Sequence, residues 1–150
     1  MRKFGRILVP LAAVLAAPPA LADHVVTVQV VDAVRFTPPN PQCPAGAGSA
    51  HIVVDGHRAG ALHACFFSLT PTDTGQVSTG EFALALPGGR LVAQFTAVET
   101  FLSPTVLRQE LTGTVTGATG QHRAPGTISG GGLIDFAGDP DLTFVVHLAG

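Results

Sequence analysis

Two carboxylates stand where the alternation of the chain calls for apolar side chains. In residues 24–36, HVVTVQVVDAVRF, the residues Val26, Val28, Val30, Val34 and Phe36 recur at every second position, and Asp32 falls on the same face. In residues 90–102 the corresponding face carries Leu91, Ala93, Phe95, Ala97 and Phe101, and Glu99 interrupts it. A period of two is that of a half-buried β-strand. If both faces point into one interior, each carboxylate enters an apolar medium. Burial disfavours the charged form of a carboxyl group, and a carboxyl tuned in this way can give or take a proton near neutral pH. Glu99 and Asp32 are therefore the candidate catalytic residues. The alternatives are an interior ion pair, which perturbs a carboxylate without any chemistry, a bulge that turns the side chain outward, or a place at the rim in water.

The histidines invite a metal reading and do not sustain it. His51, His57 and His63 lie close in sequence with Asp55 between them. A zinc ion needs three or four donors converging at about 2.0–2.3 Å. His57 and His63 share a strand face, but six residues of strand span roughly 20 Å, and no short-spaced ligand motif accompanies them. They are assigned to strand surfaces and turns, with no metal and no other cofactor expected. Other catalytic patterns are missing: there is no Gly-x-Ser-x-Gly elbow, and the Gly-rich turns lead into strands instead of the helices that cradle phosphate. The two cysteines, Cys43 and Cys65, are an even count. In an oxidising compartment that favours one disulfide over two buried thiols.

The compartment follows from the first residues. Arg2, Lys3 and Arg6 precede an apolar run from Ile7 to Ala17, and Ala20-Leu21-Ala22 has the small-x-small pattern of a signal-peptidase site. Residues 1–22 are therefore expected to be a cleaved signal peptide, and the product to be secreted or periplasmic. Residues 23–150 are long enough for one domain with its own core. That portion keeps the chain's ten acidic residues, and its basic ones are Arg35, Arg58, Arg90, Arg108 and Arg123. An acidic chain without lysine lacks the clustered cations that phosphate contacts require, so nucleic acid is excluded as a partner. Docking on anionic membranes is excluded for the same reason, and no second apolar run reaches spanning length, so no membrane insertion is expected.

The elements that must position the carboxylates are strands. After the first, Ala50–Asp55 and His57–Leu69 are joined at Asp55-Gly56, a pair suited to a tight turn. Val77–Leu86, Arg90–Leu102, Thr105–Thr116, Gly126–Ala137 and Leu142–Leu148 follow, separated by Gly- and Pro-bearing turns. Pro-rich residues 37–48 are a loop. Gly130-Gly131-Gly132 inside the seventh strand predicts a bend, a bulge or a close approach of two backbones. About eight strands joined by short turns predict a sandwich or a barrel. The closed form is preferred because it removes edges that this chain has no lysine to guard.

One stretch carries a resemblance. Residues 111–126 read LTGTVTGATGQHRAPG, in which Gly117, Thr119, Gly120, Ala124 and Gly126 match the strand–GxTG–turn–Ala-x-Gly element of the allene oxide cyclase and dirigent-like barrels. Gly60–Phe67, bearing Cys65, and Gly80–Leu84 resemble neighbouring strands of bacterial members. The chain departs from the pattern at Ala118, where glycine is usual, and at His122, where an aromatic is usual. It has no tyrosine, so tyrosine-dependent chemistry does not carry over. The resemblance implies an eight-stranded antiparallel barrel with a cavity, often homo-oligomeric, of a kind that in some members guides cyclisation or radical coupling of hydrophobic small molecules. It implies structural turn roles for Gly117, Thr119, Gly120 and Gly126, and it maps no catalytic residue.

Two functions follow as expectations. The first is an exported barrel that binds a small hydrophobic molecule and steers its cyclisation or isomerisation by shape and one interior carboxylate. The second is a non-enzymatic exported barrel with a packed interior that binds a protein or its own copies. The interior decides between them. Small inward residues, with Ala93, Ala97 and Gly130 to Gly132 as the candidates, would leave room for a ligand.

Overall fold

Within its strands this chain sets apolar residues at alternate positions, and a sheet so patterned must hide one face. The computed structural model, which describes residues 24–148, does this by closing the sheet on itself. Nine strands are present among the described residues: β1 (His24–Val30), β2 (Arg35–Thr37), β3 (Ala47–Val54), β4 (Arg58–Pro71), β5 (Gly75–Leu86), β6 (Gly89–Phe101), β7 (Val106–Ala118), β8 (Gly126–Asp135) and β9 (Asp141–Leu148). All neighbours pair antiparallel, and β1 joins β9 on one side and β3 on the other. The result is a closed eight-stranded antiparallel barrel with β2 as an addition along the edge of β3. The signal peptide expected at residues 1–22 lies outside the described residues.

The expected first strand over residues 24–36 is divided. Val30 pairs with Ile52 and Arg35 pairs with Ser49, so the four residues 31–34 stand against Ala50 and His51 alone. The surplus bulges out and splits the strand into β1 and β2. This bulge overturns the inward position expected of Asp32. The neighbouring strand also begins earlier than its sequence suggests, at Ala47, because β2 gives it a partner inside the expected 37–48 loop.

Two further bulges let two nearby residues face inward where strict alternation would send one out. Phe67 is surplus between β4 and β5, so Phe66 packs against the core and Leu69, although exposed, stands at the edge of the cavity on the same side. Thr116 is surplus between β6 and β7, so Val115 and Ala118 both contact the core. The Gly130–Gly132 run is not a bend. Its residues are held at φ +148°, +154° and +142°, and a Cβ on each would stand 2.2 Å or less from a carbonyl oxygen of a neighbouring strand. Of the three predicted explanations, close backbone approach is the one realised.

The interior has two halves. At the end carrying the β3–β4, β5–β6 and β7–β8 connections it is filled by Leu84, Leu91, Val115, Ile128 and Val146, all almost fully buried. His122 covers that end, its Nε2 lying 3.3 Å from the carbonyl oxygen of Pro87. The matched turn lies beside it. Thr119 exchanges hydrogen bonds with Arg90, its N donating to O at 2.9 Å and its Oγ1 accepting from N at 3.1 Å. Gly120 turns the chain at φ +68° over Gly88. Gly117 and Gly126, expected in the turn, instead lie in β7 and β8, where they pair with Val92 and Val115 in the ladder.

The opposite end is bridged by the segment from β2 to β3. The Cys43–Cys65 disulfide ties that segment to the middle of β4. The tie is reinforced where Ala45 N donates to Phe66 O at 3.0 Å and Phe66 N donates to Gly46 O at 2.9 Å. Cross-linking residues 22 apart restricts the unfolded chain by roughly 3 kcal/mol in the chain-entropy account. We expect Cys43→Ser/Cys65→Ser to lower unfolding free energy by about that amount in a urea titration. Amide exchange should rise first at residues 38–46, and equal protection there in both proteins would refute the tie.

Candidate functional site

The unfilled end of the barrel holds a cavity of about 270 Å³. Its walls are apolar. Phe82 and Phe95 stack with ring centroids 4.2 Å apart, and Phe66 meets Phe95 edge-on at 6.0 Å. Room comes from small residues on β3 and β4, namely Gly48, Ala50 and Ala64. The small residues expected to make the hollow do not line it. Ala93 and Ala97 are inward and buried but lie in the packed layer, and the Gly130–Gly132 run presses on its neighbours.

Glu99 is in the cavity wall and only 6% exposed. Its place follows from register. Gln76 on β5 pairs directly with Glu99 on β6, which pairs directly with Gln109 on β7. Directly opposed residues on one face have neighbouring side chains. Gln76 Nε2 donates to Glu99 Oε1 at 2.6 Å, and Gln109 Nε2 donates to Oε2 at 2.7 Å. Ser78 Oγ, fully buried, donates to Oε2 from 3.5 Å. Both carboxylate oxygens are thus held by donors on adjacent strands, fixing the group in one orientation. Among the described residues no Lys, Arg or His forms an ion pair with it, the sole such pair being His51–Asp32.

Gln76, Ser78 and Gln109 are functional candidates that the sequence reading passed over. Their signal is the one that exposed Glu99: a polar residue at an apolar position in a period of two. Gln109 stands between Leu107 and Leu111, and Ser78 and Gln76 continue the Phe82/Leu84 face backwards.

Asp32 is elsewhere. The bulge puts it on the outside, with its side chain 38% exposed. There it replaces a missing ladder bond: Oδ1 accepts from the backbone N of His51 at 2.9 Å, and Oδ2 pairs with His51 Nδ1. The His51 hydrogen bonds, side chain before backbone, hold its carboxyl below the ordinary value of 3.8. That is the opposite of what a neutral interior acid needs. His63 lies on the outer face near His51, while His57 is in the β3–β4 turn with its Nδ1 3.0 Å from Asp55 O. No group of three or more His, Cys, Asp or Glu residues converges among the described residues.

Comparison with models of protein families, with curated proteins and with solved structures finds no match to this chain.

Two measurements test this description. Gln109→Leu leaves Glu99 Oε2 with only the long Ser78 contact, so it should cost about 1–3 kcal/mol in urea unfolding, as for a buried acceptor deprived of its donor. A loss under half of that would mean the pair is not engaged. Asp32→Ala should cost at most about 1 kcal/mol at neutral pH, because solvent screens the exposed pair. A carboxyl with a lowered folded-state pKa stabilises above its unfolded value and loses that contribution as it is protonated. The gap between wild type and Asp32→Ala should therefore close as pH falls below about 4, and a gap that widens there would contradict the assignment.

Proposed function

We propose that this protein binds a small hydrophobic molecule in the open half of the barrel and that Glu99 acts on the polar part of that molecule. One observation carries the reading: a largely apolar cavity of about 270 Å³ that contains a buried, oriented carboxylate. Small-molecule sites are mostly apolar concavities with a few convergent polar groups. A packed-interior barrel has no use for such a hollow, and each polar group buried in it needs partners to offset its desolvation.

The carboxylate could serve proton transfer. A C–H or O–H of the ligand lying against Glu99 would pass its proton to the carboxylate and receive it back at a second atom. This is an isomerisation or ring closure with no net change in atoms or electrons and no cofactor. The three donors would keep the oxygens aimed during the step, the positioning on which acid–base catalysis depends. The resemblance of residues 111–126 to the allene oxide cyclase and dirigent-like barrels points to the same class of chemistry.

Export is part of the proposal. It is supported by the signal-like residues 1–22 and by the Cys43–Cys65 bond, a cross-link suited to an oxidising compartment. Apolar residues point inward and Arg108, Glu110, Thr112 and Thr114 outward, the reverse of a membrane-spanning barrel. Self-association is the expectation for the outer wall, where Phe67 and Val98 stand exposed.

Titration of the purified protein with N-phenyl-1-naphthylamine, a neutral apolar fluorophore, should show one saturable site. Ala64→Leu and Ala50→Leu, which put bulk into the cavity from two strands, should each weaken binding by about tenfold, the worth of roughly 1.4 kcal/mol. No saturable binding, or binding indifferent to both substitutions, would overturn the reading.

A further inference from the structure

We infer that the ligand of this cavity is a lipophilic cation, an apolar body bearing a protonated amine. This rests on the binding reading above and names the ligand class. Glu99 is buried among apolar and neutral polar groups, and its hydrogen-bond partners are two amides and a hydroxyl. Those donors satisfy direction but bring no positive charge. A buried carboxyl group whose only partners are neutral donors gains from a cation that can enter beside it. A carboxylate offers about four acceptor positions, and the two Gln amides and the distant Ser78 hydroxyl leave one for a ligand N–H.

The rest of the cavity suits the same guest. Phe66, Phe82, Phe95 and Phe144 present ring surfaces around the space, and aromatic faces attract cations. The charged residues nearest Glu99 in its ladder, Arg108 and Glu110 beside Gln109, point outward, so nothing basic on β7 competes for the carboxylate. Anionic guests such as fatty acids would meet a buried carboxylate with no cation to receive them.

Octylamine, 1-octanol and octanoate have similar bodies and differ in charge. Each is titrated at pH 7 against the protein preloaded with N-phenyl-1-naphthylamine. Octylamine should displace the probe at a concentration at least tenfold below 1-octanol, with octanoate weakest. Glu99→Gln should bring octylamine to within threefold of 1-octanol. The wild-type ranking decides the matter if that variant does not fold. Octanol or octanoate binding as tightly as octylamine would overturn the cationic ligand and leave the apolar site standing. Failure of all three to displace the probe, or a probe that does not bind, would remove the site and this inference with it.

Discussion

The barrel depends on the pairing that closes it. β1 gives one edge to β9 and the other to β3, with Val28 opposite both Phe144 and Val54. An open sheet of this composition would leave an apolar face in water and two unpaired edges, with no lysine in the described residues to discourage edge-to-edge association. Closure removes both problems at once. It also fixes which side chains share the interior, because a slip of one residue would turn every strand's apolar set outward. The position of Glu99 follows from this register, since its donors come from the two strands that flank it.

Closure leaves the chain with an interior it fills unevenly. Leucine, valine and isoleucine from all sides meet in the half covered by His122, where packing is dense. In the other half the inward positions of β3 and β4 carry Gly48, Ala50 and Ala64, which line the cavity together with Phe82 and Phe144, whose rings meet at 5.9 Å. The cross-link at Cys65 stands on the same strand as Ala64 and fastens the segment that bridges this end. Chain that would otherwise be a loose loop is held as part of the cavity wall.

Much of this was legible in the sequence. The alternation of Leu91, Ala93, Phe95 and Ala97 identified the inner face of β6 and so the burial of Glu99, because a regular strand leaves no choice once its apolar residues point in. Strand count and spacing narrowed the class to a sandwich or a barrel, and the need to remove unguarded edges favoured the barrel. The position of Asp32 did not, because alternation across residues 24–36 continues through it and the pattern contains no mark of the bulge. What decides the matter is register against β3, in which four residues must oppose two. The location of the hollow was likewise hidden. Ala93 and Ala97 are small and point inward, yet they are buried in the core and do not line the cavity. Whether a small residue makes a cavity depends on what lies across the barrel, and that is information no single strand carries.

The buried polar row is hard to understand as a device for stability. An apolar residue at each of positions 76, 99 and 109 would fit the pattern of their strands and avoid the desolvation of two amides and a carboxylate, and replacing buried charges by well-packed apolar groups is often neutral or stabilising. The row is nonetheless complete in the sense that matters for buried networks: each carboxylate oxygen has a donor, and the donors are in direct cross-strand register. It also sits against the apolar cavity instead of within the packed half. A fold that only needed to close could have done so without it. An oriented carboxyl group at the wall of an apolar hollow is the feature on which the proposed recognition of a guest with one polar end rests.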